Sequence, residues 1–371
     1  MSADVLSPRA LNRATMERQL LLRRSHLAPL EVVAHLVGIQ AQLPLNPYLA
    51  LWSRIEGFRP DDLGQLLVDR KVVRIVVMRA TLHLLTADDC LVLRPLMQPV
   101  LDAELSRHPE HGPALRQVDI DPVLVLARRL VAERPRTMAE LRVAMEEQFP
   151  DGHAPALAYA CRNLLAFVQV PPRGVWGRTG QVTSTTAEAW LGRPLATDPS
   201  IEAVVLRYLA ALGPATVADV ATWSRLTGLR SVLDRLRPQL RTFRDEHGRE
   251  LFDLPDAPRP DADAPAPPRF LPEYDNVVLS HADRTRFCSE DQRRQLFAAE
   301  GPVQGSVLSD GFLRGTWFIE RDRPTGGATL MIRHVRTLTK KASTALAAEG
   351  RRLLRFLEAD RTDHDVRFVA L

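Results

Sequence analysis

Lysine is almost missing from this chain. Of its 49 basic residues only Lys71, Lys340 and Lys341 are lysines, which leaves 46 arginines (49 − 3). With abundant Ala, Pro, Leu and Val, the bias is what a GC-rich genome produces. It also limits chemistry that runs through a nucleophilic amine and a Schiff base. Cysteine is as scarce. Cys90, Cys161 and Cys288 stand far apart, without metal-ligand spacing or an even-numbered disulfide framework. They suit a reducing compartment, as small buried hydrophobes. No run of 18 apolar residues occurs, and Met1–Arg9 has no apolar h-region, so a soluble protein that stays in the cytoplasm is expected. A His/Cys metal cluster, a Gly-rich phosphate loop and a Gly-x-Ser-x-Gly elbow are all missing, and neither a metal nor a cofactor is expected. Two pairs of adjacent acids, Asp88-Asp89 and Glu146-Glu147, point apart on helices and read as solvated caps rather than catalytic pairs.

What is present is ordinary for a globular protein. The 371 residues are 45% hydrophobic, 25% charged and 6% aromatic, enough for a sizeable core spread over two to four small domains. A net charge of +4 and a pI near 9.2 permit nucleic-acid binding without demanding it.

Residues 11–36 read as helical, with Leu11, Ala14, Leu20, Leu21 and Leu22 inward and Arg13, Arg18, Arg23 and Arg24 outward. Pro29 suits the first turn of a helix whose apolar stripe is Leu30, Val33, Leu36 and Val37. Gly38 weakens that helix and Pro44 ends it, leaving Gln40 and Gln42 at or just past its end. The β-branched run 72–78 is a strand, and residues 81–85 alternate like its hairpin partner. Further on a repeat emerges. Pro135-Arg136-Thr137-Met138-Ala139-Glu140-Leu141 matches Pro214-Ala215-Thr216-Val217-Ala218-Asp219-Val220, 79 residues later (214 − 135). Thr137 and Thr216 are N-caps, with the acid of a capping box three residues on. Each copy follows an apolar helix and precedes another helix and a hairpin-like segment, which is the winged-helix layout. A fainter echo opens the helix before Gln40. Residues 255–268 form an extended Pro/Ala/Asp linker. Beyond it, strands broken by Asp-Gly and Gly-Gly turns predict an antiparallel sheet or barrel covered by a closing helix, about residues 340–359.

A glutamine amide offers one acceptor oxygen and two donor hydrogens without charge. Gln40 and Gln42, bracketing a small apolar residue, are suited to hold a water against a cationic or electron-poor centre. They are equally suited to a solvated helix end. Gly38-Ile39-Gln40-Ala41-Gln42, with Pro47 and Leu51-Trp52-Ser53-Arg54, resembles the Gln-apolar-Gln motif of the AlkZ-type bacterial DNA glycosylases, a superfamily of winged-helix repeats. Residues 79–85, Arg-Ala-Thr-Leu-His-Leu-Leu, resemble its Arg-x-Thr-x-His segment. The stretch 270–284, Phe-Leu-Pro-Glu-Tyr-Asp-Asn-Val-Val-Leu-Ser-His-Ala-Asp-Arg, resembles its C-terminal block.

The resemblance implies an α+β, mainly α fold of tandem winged helix-turn-helix units with a C-terminal antiparallel β domain. The expected divisions are 1–118 (carrying the glutamines), 119–196, 197–254, the linker 255–269 and 270–371. It implies a DNA glycosylase, and the lysine scarcity points to a monofunctional one acting on double-stranded DNA that carries an alkylated guanine. Gln40 and Gln42 are its implied catalytic, water-positioning pair. The Gln-x-Gln branch is associated with bulky N7 adducts and interstrand crosslinks left by natural genotoxins, hence with repair and self-resistance. His83, Arg79 and Thr81 are expected to line the site. His83 also fits a structural strand histidine, and Arg79 fits either a phosphate contact or a surface ion pair. Arg54, Arg173, Trp176, Arg178, His281, Arg284, Arg321 and Arg323 are the candidate DNA contacts, and a monomer is expected. Two rival functions remain, a non-catalytic winged-helix DNA-binding protein and a protein that sequesters the genotoxin.

Overall fold

The computed structural model describes residues 4–297, 303–322, 326–361 and 363–371. It is an α+β fold organised on three sheets, and no helix among the described residues is long and apolar enough to cross a membrane. The first sheet runs in the order Ile39–Gln40, Leu82–Thr86, Val72–Val76, Phe167–Gln169 and Ser184–Thr186, antiparallel throughout. Every residue of Val72–Val76 is buried, because each face of the sheet feeds a different core. Val72, Val76, Leu82 and Leu84 pack with Tyr48, Leu51, Ile332 and Leu346. Val73, Ile75 and Leu85 pack with Tyr208, Leu212 and Trp223. A strand covered on both sides needs apolar residues on both, which is why this run reads as continuous β-branched sequence rather than as alternation.

The repeated segments fold alike. The first has helices Asp121–Glu133, Met138–Gln148 and Ala154–Leu164 before strands Phe167–Gln169 and Ser184–Thr186. The second has Ile201–Leu212, Val217–Ser224 and Leu229–Leu236 before the hairpin Arg241–Asp245 and Glu250–Asp253. Thr137 with Glu140, and Thr216 with Asp219, form complete capping boxes. The hairpins differ in what they join. The first extends the sheet begun before residue 86, through Ile75 opposite Val168. The second takes Val5–Leu6 as a parallel third strand.

The C-terminal sheet departs from the expected antiparallel pattern at one strand. Arg269–Leu271, Gly305–Ser309, Phe312–Arg321 and Ala328–His334 are antiparallel neighbours, but His364–Ala370 runs parallel to Ala328–His334. The cause is the helix Lys340–Leu357, a crossover that returns the chain to the same end of the sheet. Gly350 lets that helix lie close, since a Cβ there would meet Leu330 Cδ2 at 2.8 Å. Asp310 and Gly311, both at positive φ (50° and 77°), close a tight hairpin turn.

The helical reading of residues 11–36 is corrected in two respects. The helix Pro8–Arg18 stops early, and Leu20 at φ 58° starts an irregular stretch before the helix Pro29–His35. Arg13 and Arg18, expected outside, are buried. Arg18 donates to Asp253 at 2.6 and 2.9 Å and to the Leu209 carbonyl at 3.0 Å. Arg13 pairs with Asp310 and also donates to the Ala264 carbonyl at 2.6 Å. A helix whose polar face meets carboxylates of distant segments gains by turning that face inward. Asp89, read as a solvated cap, is likewise buried and pairs with Arg207.

Arg54 is corrected in the same way. Expected at a DNA surface, it is 1% exposed. Both its terminal nitrogens donate to Asp275 at 2.9 Å, and Nη2 also reaches Gln19 Oε1 at 3.2 Å. It ties the segment after the glutamines to the C-terminal block. Asp275→Ala leaves that guanidinium buried without its counter-charge, and the expected loss of stability is about 3–5 kcal/mol. The Arg54→Leu/Asp275→Leu double variant should recover most of it. Urea unfolding checks both, and a double variant no better than Asp275→Ala would refute the account.

Candidate functional site

The site is built where the short strand Ile39–Gln40 meets the turn between Val72–Val76 and Leu82–Thr86. After the helix Pro29–His35 the chain reverses through Val37 (φ 54°) and Gly38 (φ 93°). Gly38 is needed twice over: its φ is left-handed, and a Cβ would sit 2.3 Å from Leu85 Cδ2. Gln40 then pairs across the ladder with His83, so both side chains stand on the same face of the sheet. Ile39 and Ala41 alternate to the other face and its core. The backbone of Ala41 is clamped, with its N–H on the Leu82 carbonyl at 2.8 Å and its carbonyl accepting from Arg74 Nη2 at 2.8 Å.

Arg79 joins these groups. It lies in the turn at φ 57°, beside Ala80 at φ 55°. Its Nη2 is 2.7 Å from Gln40 Oε1, 2.8 Å from Asn276 Oδ1 and 3.3 Å from His83 Nε2, while Nη1 donates to the Trp223 carbonyl at 3.0 Å. A guanidinium can only donate, and that settles three orientations. Gln40 and Asn276 must turn their oxygens to Arg79, and His83 Nε2 must be unprotonated. The rest agrees: His83 Nδ1 donates to the Thr81 carbonyl at 2.9 Å, and Asn276 Nδ2 donates to the Gly38 carbonyl at 3.2 Å. Two hydrogens on Nη2 serve the two amide oxygens, and the longer histidine contact is the weaker share. Gln40 Nε2 has no partner among the described residues, so its two hydrogens remain available. Gln42, just past the last ladder pair, is exposed.

Burial lowers Arg79 to about 10, helped by Arg225 and Arg284, and it stays cationic at neutral pH. Arg74, beneath the motif, is also held down to about 10 by burial, with Arg173 adding to the effect. Among the described residues neither cation has a carboxylate partner, whereas Arg18, Arg24 and Arg54 have Asp253, Glu349 and Asp275. His83, fully buried, is pushed down to about 3 by burial and then by Arg79. Left-handed backbone outside glycine costs about 1–2 kcal/mol per residue. Such residues gather here: Val37, Arg79, Ala80, Arg225 and, two before Asn276, Tyr274.

The structure therefore brings Gln40, Arg79, His83 and Thr81 together and adds Asn276. Asn276 lies inside the 270–284 block, but a lone amide among its charged residues carries no local signal of a site role in the sequence. Of the candidate DNA contacts, His281 is corrected: it is 1% exposed and donates from Nε2 to the Leu212 carbonyl at 2.9 Å. Trp176 is a packing residue, 5.1 Å from the Tyr48 ring and 5.2 Å from Phe356. Arg321 is exposed but committed to Glu358 at 2.6 Å. Arg284 is half-buried, with its Nε lacking a partner. Arg173 is half-buried and Arg178 exposed on the 171–178 turn, and Arg323 lies outside the described residues.

Comparison with known proteins agrees on one family. The family model described as DNA glycosylase AlkZ-like matches residues 33–356. An interstrand DNA cross-link repair glycosylase of Streptomyces sahachiroi is 28% identical over 326 residues, covering 82% of this chain and 85% of that protein. The solved structure of Streptomyces sahachiroi DNA glycosylase AlkZ matches with a TM-score of 0.79 at 21% identity, over 98% of this chain and 100% of that one, and so shares its fold.

A neutral buried histidine makes stability depend on pH. The unfolded chain protonates His83 near its ordinary value of 6.5, and the folded chain resists until about 3. Between those values the unfolded state binds more protons. Stability is thus complete above about 6.5 and is lost progressively as pH falls towards 3. His281, lowered by burial and Arg286, acts in the same direction. The urea midpoint should fall between pH 7 and 5, and the fall should be shallower in His83→Asn by about one proton's worth. Equal slopes would mean that His83 is not held neutral.

Proposed function

This chain belongs to the AlkZ-like family of DNA glycosylases, and from that premise we propose that it is a monofunctional enzyme that hydrolyses the N-glycosidic bond of N7-alkylated purines in duplex DNA. Bulky adducts and interstrand crosslinks are the proposed substrates. The enzyme is proposed to work as a cytoplasmic monomer that protects against a genotoxic metabolite. The three helical units, divided at residues 118, 196 and 254, are proposed to be winged helices that present the duplex to Gln40 and Gln42.

The observation that carries this reading is the locked amide of Gln40. Because its oxygen is committed to Arg79, Gln40 offers the substrate only N–H donors. Gln42, unconstrained by the protein, supplies the matching acceptor oxygen. Such a donor and acceptor pair is suited to hold one water. That water accepts from Gln40 through one lone pair, donates to Gln42, and keeps the second lone pair for attack.

An N7-alkylated guanine already carries a positive charge on its purine. The C1′–N9 bond breaks with its electrons going to the base, which leaves neutral and needs no general acid. The water oxygen bonds to C1′ of the resulting oxocarbenium and releases its proton to solvent, giving an abasic site. Since the leaving group is activated beforehand, placing the water supplies what the barrier still requires, without a strong base. His83, neutral and fully committed to Thr81 and Arg79, holds the arrangement rather than carrying a proton. The monofunctional part of the reading draws support from the lysines, since neither Lys71 nor Lys340 nor Lys341 lines the groove beside Arg79.

Release of 7-methylguanine from a methylated duplex tests this function. Gln40→Ala and Gln42→Ala should each slow release roughly 100-fold or more while duplex affinity stays within a factor of two or so. Undiminished release in both variants would move the chemistry elsewhere. No release by the wild type from either methylated or bulky-adduct DNA would overturn the proposed activity.

A further inference from the structure

A groove of about 710 Å³ opens beside the site, and Arg79 forms part of its lining. Arg107, at the end of the helix Gln98–Arg107, and Arg225 and Thr227, in the turn after Val217–Ser224, line it as well. We propose that this groove seats the phosphate that flanks the damaged nucleotide, with Arg107 and Arg225 as its contacts and Arg79 as its floor. The inference rests on the DNA glycosylase reading and deepens it.

The charge pattern is the first ground. Several buried arginines of this protein are matched to acids, as Arg18 is to Asp253 and Arg54 to Asp275, while Arg74 and Arg94 are held by neutral acceptors. Arg79 has three amide and imidazole acceptors and a carbonyl instead, and the charges that act on it are those of Arg225 and Arg284. Among the described residues, the acid on the groove wall is Glu104, which is exposed and has Tyr159 Oη at 3.5 Å. Like charges facing one groove repel one another, and an anion seated between them removes that repulsion. A phosphate diester supplies the missing charge and takes the parallel donors that a guanidinium presents. The Thr227 hydroxyl is a further donor of the kind that positions backbone phosphates.

Geometry is the second ground. Arg79 Nη1 donates to the Trp223 carbonyl at 3.0 Å, which fixes the groove floor to the helix end two residues before Arg225. Arg225 is exposed and is the left-handed cap (φ 67°) that ends the helix Val217–Ser224, its N–H donating to the Ala221 carbonyl at 2.7 Å. From the same Arg79, Nη2 reaches Gln40 at 2.7 Å. Successive nucleotides on one strand are about 3.4 Å apart along the axis. Arg79 thus links the groove to the motif, which places an anion seated there on the strand close to the nucleotide at Gln40.

The test is binding to a duplex with a tetrahydrofuran abasic analogue, which cannot turn over, measured across a range of salt. Arg225→Ala and Arg107→Ala should each weaken binding about tenfold at low salt. Each should also flatten the slope of log affinity against log salt by about 0.9. Arg225→Lys should keep the slope. A neutral methylphosphonate placed next to the analogue should weaken the wild type and add nothing to Arg225→Ala. Unchanged slopes, or effects that multiply at every methylphosphonate position, would overturn the proposal. Both arginines are exposed, so the variants should melt like the wild type. If the binding results hold while no adduct is ever released, the phosphate seat stands and the glycosylase reading alone fails.

Discussion

A half-buried guanidinium with no carboxylate partner among the described residues is the constraint around which the site is arranged. A salt bridge would neutralise Arg79 and leave its neighbours free. Neutral acceptors spend their own atoms on it instead. The oxygen of Gln40, the oxygen of Asn276 and one ring nitrogen of His83 are each fixed in identity by a group that can only donate. The turn that carries Arg79 accepts left-handed backbone to bring it there. The strand with Gln40 and the block with Asn276 come from opposite ends of the chain, and the cation is where they are held together.

The surroundings are built to bear that cost. The sheet under the site is buried on both faces, so its strands are fixed by two cores at once. Around it, buried arginines bind carboxylates of distant segments: Arg18 to Asp253, Arg54 to Asp275, Arg24 to Glu349. Broken singly, such pairs are costly, which makes them good at enforcing one arrangement of segments. The protein thus uses arginine in two ways, neutralised by carboxylates of distant segments at Arg18, Arg24 and Arg54 and held by neutral acceptors at Arg74, Arg79 and Arg94.

Much of this was legible from sequence where a local rule governs. The threonine caps, the hairpin around Arg79, the Asp-Gly turn and the break at Gly38 follow from residue types whose conformational preferences act over a few positions. Long-range pairing was not legible. Arg54 and His281 look like surface groups in any local reading, because nothing near them in sequence announces Asp275 or the Leu212 carbonyl. Nor does the sequence announce that His364–Ala370 returns parallel, which depends on the length of the helix before it. At the site, Gln40, Arg79 and His83 were found by resemblance to a family motif. Asn276 was missed because an amide is unremarkable until the cation it serves is known.

The sheet shared between the first and second helical units has a consequence for how this architecture can be divided. Phe167–Gln169 supplies the neighbour of Val72–Val76. A chain ending before residue 119 would therefore expose the β-branched strand Val72–Val76 as an unprotected edge. Such edges pair with one another and seed aggregation. Phe167–Gln169 is in this sense a cover for Val72–Val76, and any shortened chain that keeps the glutamines needs another way to close that edge.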